Sequence, residues 1–228
     1  MVAGYSAAQV RAAEQPHLAR GEPLMLLAAA ALADVVRERL PRDGDGAPLV
    51  LVLAGSGDNG GDAAHAAADL AATGIRVEIV PTGSRLHAEA RAAAVAAGVH
   101  VLDDADAPTV AARAAEASLI IDGILGTGTS SDPSLRGRAR ELVAAILPTL
   151  ADDAGPVVVA ADLPSGVHPD DGSVPDPTVL PATVTVTFGA AKAGLLIEPG
   201  ADLSGEVHVV DLGLGPELAA FTRLVERG

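Results

Sequence analysis

A run of aliphatic residues, Leu49 to Ala54, breaks into a turn dense in glycine and then into an alanine-rich helical stretch, so that LVLVLAGSGDNGGD opens a strand–loop–helix unit. The glycines at 55, 57, 60 and 61 let backbone amides come close to a ligand, because no Cβ stands in the way. The helix expected over Asp62–Thr73 turns its positive N-terminal end toward the same ligand. Asp58 and Asp62 would repel a bare pyrophosphate, so a cation or sugar hydroxyls must share the site with any nucleotide.

The same alternation recurs along the chain. Strands are expected near Leu49–Ala54, Arg76–Val80, Val99–Leu102, Leu119–Ile124, Val157–Asp162, Thr183–Phe188 and Glu206–Leu212. Between them, helices are expected at Asp62–Thr73, His87–Ala97, Val110–Ala117 and Arg136–Leu147. Two further helices, Ser6–Glu14 and Pro23–Leu40, precede the polar turn PRDGDGAP. A βαβα order specifies an α/β fold: a three-layer α/β/α Rossmann-like sandwich around a mostly parallel sheet. No clear helix separates the last two strands, which leaves that edge open to antiparallel or irregular pairing. The expected organisation is a single domain over 1–228, with helices in 1–40 packing on an α/β core spanning 48–213.

Composition closes several functional classes. Aromatic residues make up 1% of the chain, so alanine, valine and leucine build the core and aromatic stacking of bases is not expected. A formal charge of −15 without basic runs argues against nucleic acid and against an acidic membrane surface. The chain has no cysteine, which removes disulfides, thiolate metal sites and cysteine nucleophiles. The apolar stretch Leu24–Val36 is too short to span a bilayer, and a cytoplasmic protein is expected.

In open parallel sheets, ligands sit where the strand-to-helix loops gather. Three loops qualify: GSGDNGGD, DGILGTGTSSDPSLRG at Asp122–Gly137, and DLPSGVHPDDG at Asp162–Gly172. Gly55, Gly57 and Gly60 satisfy GxGxxG, but the acidic residue expected at the end of the second strand is missing, since that run exits into Pro81 and Thr82. Asn59, Asp122 and Ser165 belong to three different strand-end loops and could give oxygen ligands to one monovalent or hard divalent cation; local caps and turns are the plainer alternative. Asp122 ends the strand run LIID, where burial can tune a carboxyl for proton transfer, or where it caps its own loop. Lys192, the only lysine, is either a ligand-facing cation or a solvated surface residue. Ser165 lacks a GxSxG elbow, which makes a serine hydrolase improbable.

Taken together, the loops resemble those of the NAD(P)H-hydrate epimerase family, in order and spacing. LVLVLAGSGDNGGD resembles the family's strand with its GxGNNGGDG loop, LIIDGILGTGTSSDPSLRG its DALFGTGL…RG segment, and VVVAADLPSGVHPDDG its DIPSG segment. TVTVTFGAAKAGLLIEPGADLSGEVHVVDLGL resembles the family's ending, and SAAQVRAAE, with Glu14, its opening helix. The resemblance implies epimerisation at C6 of the hydrated cofactors NADHX and NADPHX, feeding an S-specific dehydratase that is separate or fused. It implies a homodimer of Rossmann type. It further implies that Asp58, Asn59, Gly60, Gly61 and Asp62, the loop Gly126, Thr127, Gly128, Thr129, Ser130, Ser131 and Asp132, and Asp162 contact the dinucleotide, with Lys192 added as the ligand-facing cation. Asn59, Asp122 and Ser165 would bind a potassium ion, and Asp122, with Asp62 second, would handle the proton during inversion, by loss and readdition of water or by ring opening.

The sequence also departs from the family's pattern. Asp58 replaces an asparagine and Ala63 a glycine, adding a charge and a methyl group expected beside the ligand. The family's MExAG reads Met25, Leu26, Leu27, Ala28, Ala29, and Thr129–Ser134 is an insertion. A non-catalytic nucleotide-binding module of the same fold is therefore the alternative, ahead of an NAD-dependent oxidoreductase. The epimerase-like pattern closes at Asp211–Gly213, so no dehydratase domain is expected within the chain.

Overall fold

The structure, a computed structural model, describes residues 2–41, 47–128, 132–151 and 155–228. Most of the PRDGDGAP turn, at 42–46, and the expected ligand contacts Thr129, Ser130 and Ser131 lie outside the described residues. The first half of the chain forms β1 (Val2–Tyr5), α1 (Ala7–Ala19), α2 (Leu24–Arg39), β2 (Leu49–Ala54), α3 (Asp58–Ala72), β3 (Arg76–Pro81), α4 (Ala88–Ala96), β4 (His100–Val101) and α5 (Ala107–Glu116). The second half forms β5 (Leu119–Gly123), α6 (Gly137–Ile146), β6 (Val157–Ala161), β7 (Val184–Phe188), β8 (Ala191–Lys192), α7 (Gly200–Ser204), β9 (Glu206–Val210), α8 (Gly215–Leu218) and β10 (Val225–Arg227).

Seven strands form one parallel sheet in the order β4-β3-β2-β5-β6-β7-β9. β2 is buried along its whole length, and strand periodicity deals its side chains to two layers. Leu49, Leu51 and Leu53 pack with Val110 and Ala114 of α5 and Leu142, Val143 and Ile146 of α6. Val50, Val52 and Ala54 pack on the other face with residues of α1 to α4. Ala63, Ala64, Ala66 and Ala67 of α3 are fully buried, and their small side chains let the helix lie close to the sheet. The result is the three-layer α/β/α sandwich expected from the alternation.

Three local features differ from the sequence expectation. β7 and β9 pair in parallel, from Val184 with Glu206 to Phe188 with Val210, because the connection through the short α7 is long enough for a crossover. α3 starts at Asp58, so the residues read as loop form its first turn. A second sheet, β10-β1-β8, was invisible as periodicity because its strands have only three, four and two residues. In it Tyr5 is in register with Lys192.

That small sheet feeds directly into α1, which is tied down along its length. Ser6 caps the helix in a capping box with Gln9, and the Ala7 amide donates to Asp170 Oδ1 at 2.6 Å. Gln9 Nε2 donates to the Thr222 carbonyl at 3.0 Å, and Arg11 Nη1 to the Thr127 carbonyl at 2.7 Å. The helix runs on through Pro16 to buried His17, whose Nδ1 lies 2.7 Å from Glu22 Oε2 and whose Nε2 lies 3.4 Å from Glu217 Oε2.

Two outcomes follow from this packing. An ideal Cβ on Gly60 would sit 2.0 Å from the Gly55 carbonyl oxygen, so Gly60→Ala should lose about 1–3 kcal/mol of stability and lower the melting temperature. The hydrogen bond to Glu22 raises the His17 pKa above the usual imidazole value, with burial opposing it. The stability this contributes is full below the unfolded value and is lost as pH rises through the higher folded one. Thermal melts between about pH 6 and about pH 9 should show wild type losing more stability than His17→Gln.

Candidate functional site

The strand order reverses between β2 and β5: β3 lies on one side of β2, while β5 and its successors run to the other. At such a switch point the two following loops diverge and leave a crevice. Here it is a cavity of about 460 Å³, within the size range of small-molecule sites. Gly55 to Asn59 and Asp62 line it after β2, Thr82 and Gly83 after β3, and Ile124 to Gly128 after β5. Asp162 enters from the end of β6, Phe188 and Lys192 from beyond β7, and Arg11 and Glu14 from α1. The β2 and β5 loops touch backbone to backbone: the Gly55 amide donates to the Gly123 carbonyl at 3.0 Å, and a Cβ on Gly55 would fall 1.9 Å from the Ile124 oxygen.

Beside this crevice the structure brings Asn59, Asp122 and Ser165 together. Asp122 is fully buried; its Oδ1 accepts from the Ser165 hydroxyl at 2.6 Å and from the Ile124 amide at 3.3 Å, and its Oδ2 from the Ser165 amide at 2.8 Å. Desolvation raises the Asp122 carboxyl above its usual range against these bonds. The Ser165 hydroxyl oxygen also accepts from the Leu125 amide at 2.8 Å. Asn59 Nδ2 donates to the Leu125 carbonyl at 3.0 Å, while Asn59 Oδ1 is buried without a partner. A buried amide oxygen left unpaired is costly, and a cation would satisfy it. Among the described residues no group of three or more histidines, cysteines or carboxylates could hold a metal. Asn59, Asp122 and Ser165 together offer one carboxylate, an amide oxygen and a hydroxyl, all oxygen donors of the kind hard cations take.

Asp122 and Ser165 do not line the cavity. With both Asp122 oxygens engaged, it is Asp62, the second choice from sequence for proton handling, whose carboxyl faces the cavity. Asp62 lines the cavity, makes no side-chain hydrogen bond among the described residues, and is pushed well above the usual carboxyl range by desolvation first and then by Asp162, Asp58 and Glu14. Glu14 is raised by burial too, with Lys192 opposing. Neither α1 residue was singled out as a ligand contact. The available signal was two charges one turn apart, Arg11 and Glu14, on a short helix otherwise rich in alanine.

Lys192 is 2% exposed, which overturns the solvated-surface reading. Its Nζ donates to Asp162 Oδ1, to Thr187 Oγ1 at 3.1 Å and to the Phe188 carbonyl at 2.9 Å. Asp162 carries a positive φ of 68°, a strained conformation for a residue with a side chain, held by this pairing at the rim of the sheet. Of the other expected contacts, Asp58, Gly126, Thr127 and Gly128 line the cavity. Gly60 and Gly61 lie in the first turn of α3 without lining it, and Gly61 abuts Met25. Asp132 is exposed and pairs with Arg136 at 2.6 Å, its carboxyl held low by Ser134 first.

Two departures also find their places. Ala63 is fully buried and does not line the cavity; a Cβ on Gly123 would lie 2.4 Å from its methyl group. The expectation of a methyl beside the ligand is thus corrected, because that side of α3 packs on β5. Leu26 is 53% exposed on α2 and also stays out of the cavity.

Comparison with known proteins gives a concordant result. A family described as "YjeF-related protein N-terminus" matches residues 21–194. The NAD(P)H-hydrate epimerase of Clavibacter michiganensis is 53% identical over 224 residues, covering 97% of this chain and 94% of that one. A bifunctional NAD(P)H-hydrate repair enzyme Nnr from Thermanaerovibrio acidaminovorans is 33% identical, with the match covering 95% of this chain and 42% of the longer protein. The crystal structure of yeast ynu0 superposes with a TM-score of 0.77 at 19% identity, over 100% of this chain and 97% of that one, which shows the shared fold.

The buried ion pair makes its own prediction. Lys192→Met would leave the Asp162 carboxylate buried without its cation, and should cost about 3–5 kcal/mol in chemical denaturation at neutral pH.

Proposed function

The chain belongs to the YjeF-related N-terminal family, that of the NAD(P)H-hydrate epimerases, and is an isomerase of that activity; on this premise we propose that the crevice between β2 and β5 is where C6 of the hydrated nicotinamide is inverted. The observation that carries the assignment is convergence. Three segments far apart in sequence meet at one cavity: glycines with Asp58 and Asp62 after β2, Gly126 and Gly128 after β5, and Asp162 after β6. An oxidoreductase is disfavoured by the one acidic residue of β3, because Glu78 is held by Arg113 and Arg76 rather than left for a ribose.

C6 bears a hydroxyl group, and inverting it requires a proton to be moved at that oxygen while positive charge develops on the ring. Asp62 is the proton-handling residue in this reading, in place of Asp122, since it faces the cavity with its carboxyl unbonded. The acidic walls favour a ring that becomes cationic. Backbone amides at the start of α3 and the Gly126–Gly128 turn hold the dinucleotide. Asn59, Asp122 and Ser165 hold a potassium ion, for which the unpaired Asn59 Oδ1 is the support. Bound there, the ion supplies positive charge that offsets the carboxylates of the loop.

The S epimer passes to an S-specific dehydratase, separate or fused, in keeping with the longer Nnr relative. A homodimer fits the solvent-facing Leu26 and Leu27 of α2. No helix among the described residues is long and apolar enough to cross a membrane, and a cytoplasmic site of action is proposed.

The test is conversion of (R)-NADHX followed by chromatography of the two epimers, in potassium and in potassium-free buffer. Enzyme in potassium should outpace spontaneous epimerisation and slow markedly without the ion, and Asp62→Asn should lose roughly 10²–10⁴-fold in kcat. A folded protein giving no acceleration would overturn the function. Equal rates in both buffers would overturn the cation site alone.

A further inference from the structure

We infer that Glu14 is a second catalytic residue, acting with Asp62 as a base–acid pair in which Asp62 protonates the oxygen leaving C6 and Glu14 takes a proton from the water that replaces it. The inference rests on the epimerase reading above and concerns a residue outside the three loop motifs.

Glu14 reaches the cavity from α1, whereas Asp62 reaches it from α3. Among the described residues neither carboxyl has a hydrogen-bond partner, although cations stand nearby. Arg11, one turn away, commits its guanidinium to the Thr127 carbonyl. The Lys192 ammonium is committed to Asp162, Thr187 and Phe188. Glu14 is therefore left free to exchange a proton with a ligand. It is also held in place: its helix is fixed by Asp170 at the first turn, by Gln9 to Thr222, and by His17 to Glu22. Such anchoring is what a proton-transfer group needs to meet one atom.

The environments of the two groups divide the roles. Burial first, and then the charges of Asp162, Asp58 and Glu14, push Asp62 well above the usual carboxyl range, while the upward push of burial on Glu14 is opposed first by Lys192, which suits Asp62 to the part of acid and Glu14 to that of base. Inversion at one carbon through a planar ring cation then runs as follows. The C6–O bond breaks with its electron pair on oxygen, Asp62 donates the proton, and water departs as the N1 lone pair forms an N1=C6 iminium. A water on the other face forms the new C6–O bond and gives its proton to Glu14. One water leaves, one enters, nothing is oxidised or reduced, and the proton left on Glu14 returns to Asp62 through solvent before the next turnover in the same direction. The reverse reaction uses the pair with roles exchanged, so both directions need both residues.

Steady-state kinetics across pH with wild type, Glu14→Gln, Glu14→Asp and Asp62→Asn, corrected for spontaneous epimerisation, tests this. Wild type should give a bell-shaped kcat profile. Glu14→Gln should keep KM within about threefold, lose roughly 10²–10⁴-fold in kcat and lose the acidic limb, while Glu14→Asp keeps that limb at reduced kcat. In ¹⁸O water each inversion should place one solvent oxygen at C6. Full activity in Glu14→Gln, a kcat loss with the acidic limb intact, or inversion that retains the original oxygen would each overturn the pair. If Glu14→Gln does not fold, the acidic limb of Glu14→Asp and the ¹⁸O result decide. A wild type with no acceleration removes the epimerase reading, and this inference with it.

Discussion

The buried contact between Lys192 and Asp162 joins the two sheets of this protein. Asp162 ends a strand of the large parallel sheet, and Lys192 lies in a strand of the small one. The ammonium also binds Thr187 and the Phe188 carbonyl at the end of β7. A charge pair this deep is a poor source of net stability, because both ions give up water to make it. Its value is positional. It fixes where β8 meets β1, hence where α1 begins, and hence how Arg11 and Glu14 reach the cavity.

The cavity gathers Glu14, Asp58, Asp62 and Asp162 around two cations, one of which is already neutralised within the protein. Such a site is hostile to a bare dianion and favourable to a ligand whose reacting ring becomes positive. The same excess would be offset by the cation proposed beside the loops, where Asn59 offers an oxygen that the protein leaves unpaired.

Much of this was legible in the sequence, and the limits have physical causes. The large sheet could be read because its strands are aliphatic runs separated by alanine-rich helices, and ligand loops in such sheets have only one edge to occupy. Asn59, Asp122 and Ser165 could be grouped because each follows a strand, and the structure does bring them together. Access could not be read. Asp122 and Asp62 look alike as loop aspartates, yet one is sealed by Ser165 and Ile124 while the other faces open space. β1, β8 and β10 are too short for periodicity to register, and what forms them is tertiary pairing. Glu14 escaped for the same reason, since its place in the cavity depends on that small sheet.

The small sheet also gives the protein an internal optical reporter. The chain has one tyrosine and no tryptophan, and that tyrosine, Tyr5, is buried in β1 beside Lys192, two residues before the helix that walls the cavity. Tyrosine emission therefore originates at a single point where the two sheets meet. A ligand that shifts this wall would be visible in the native protein, without a label and with little background from the rest of an almost wholly aliphatic molecule.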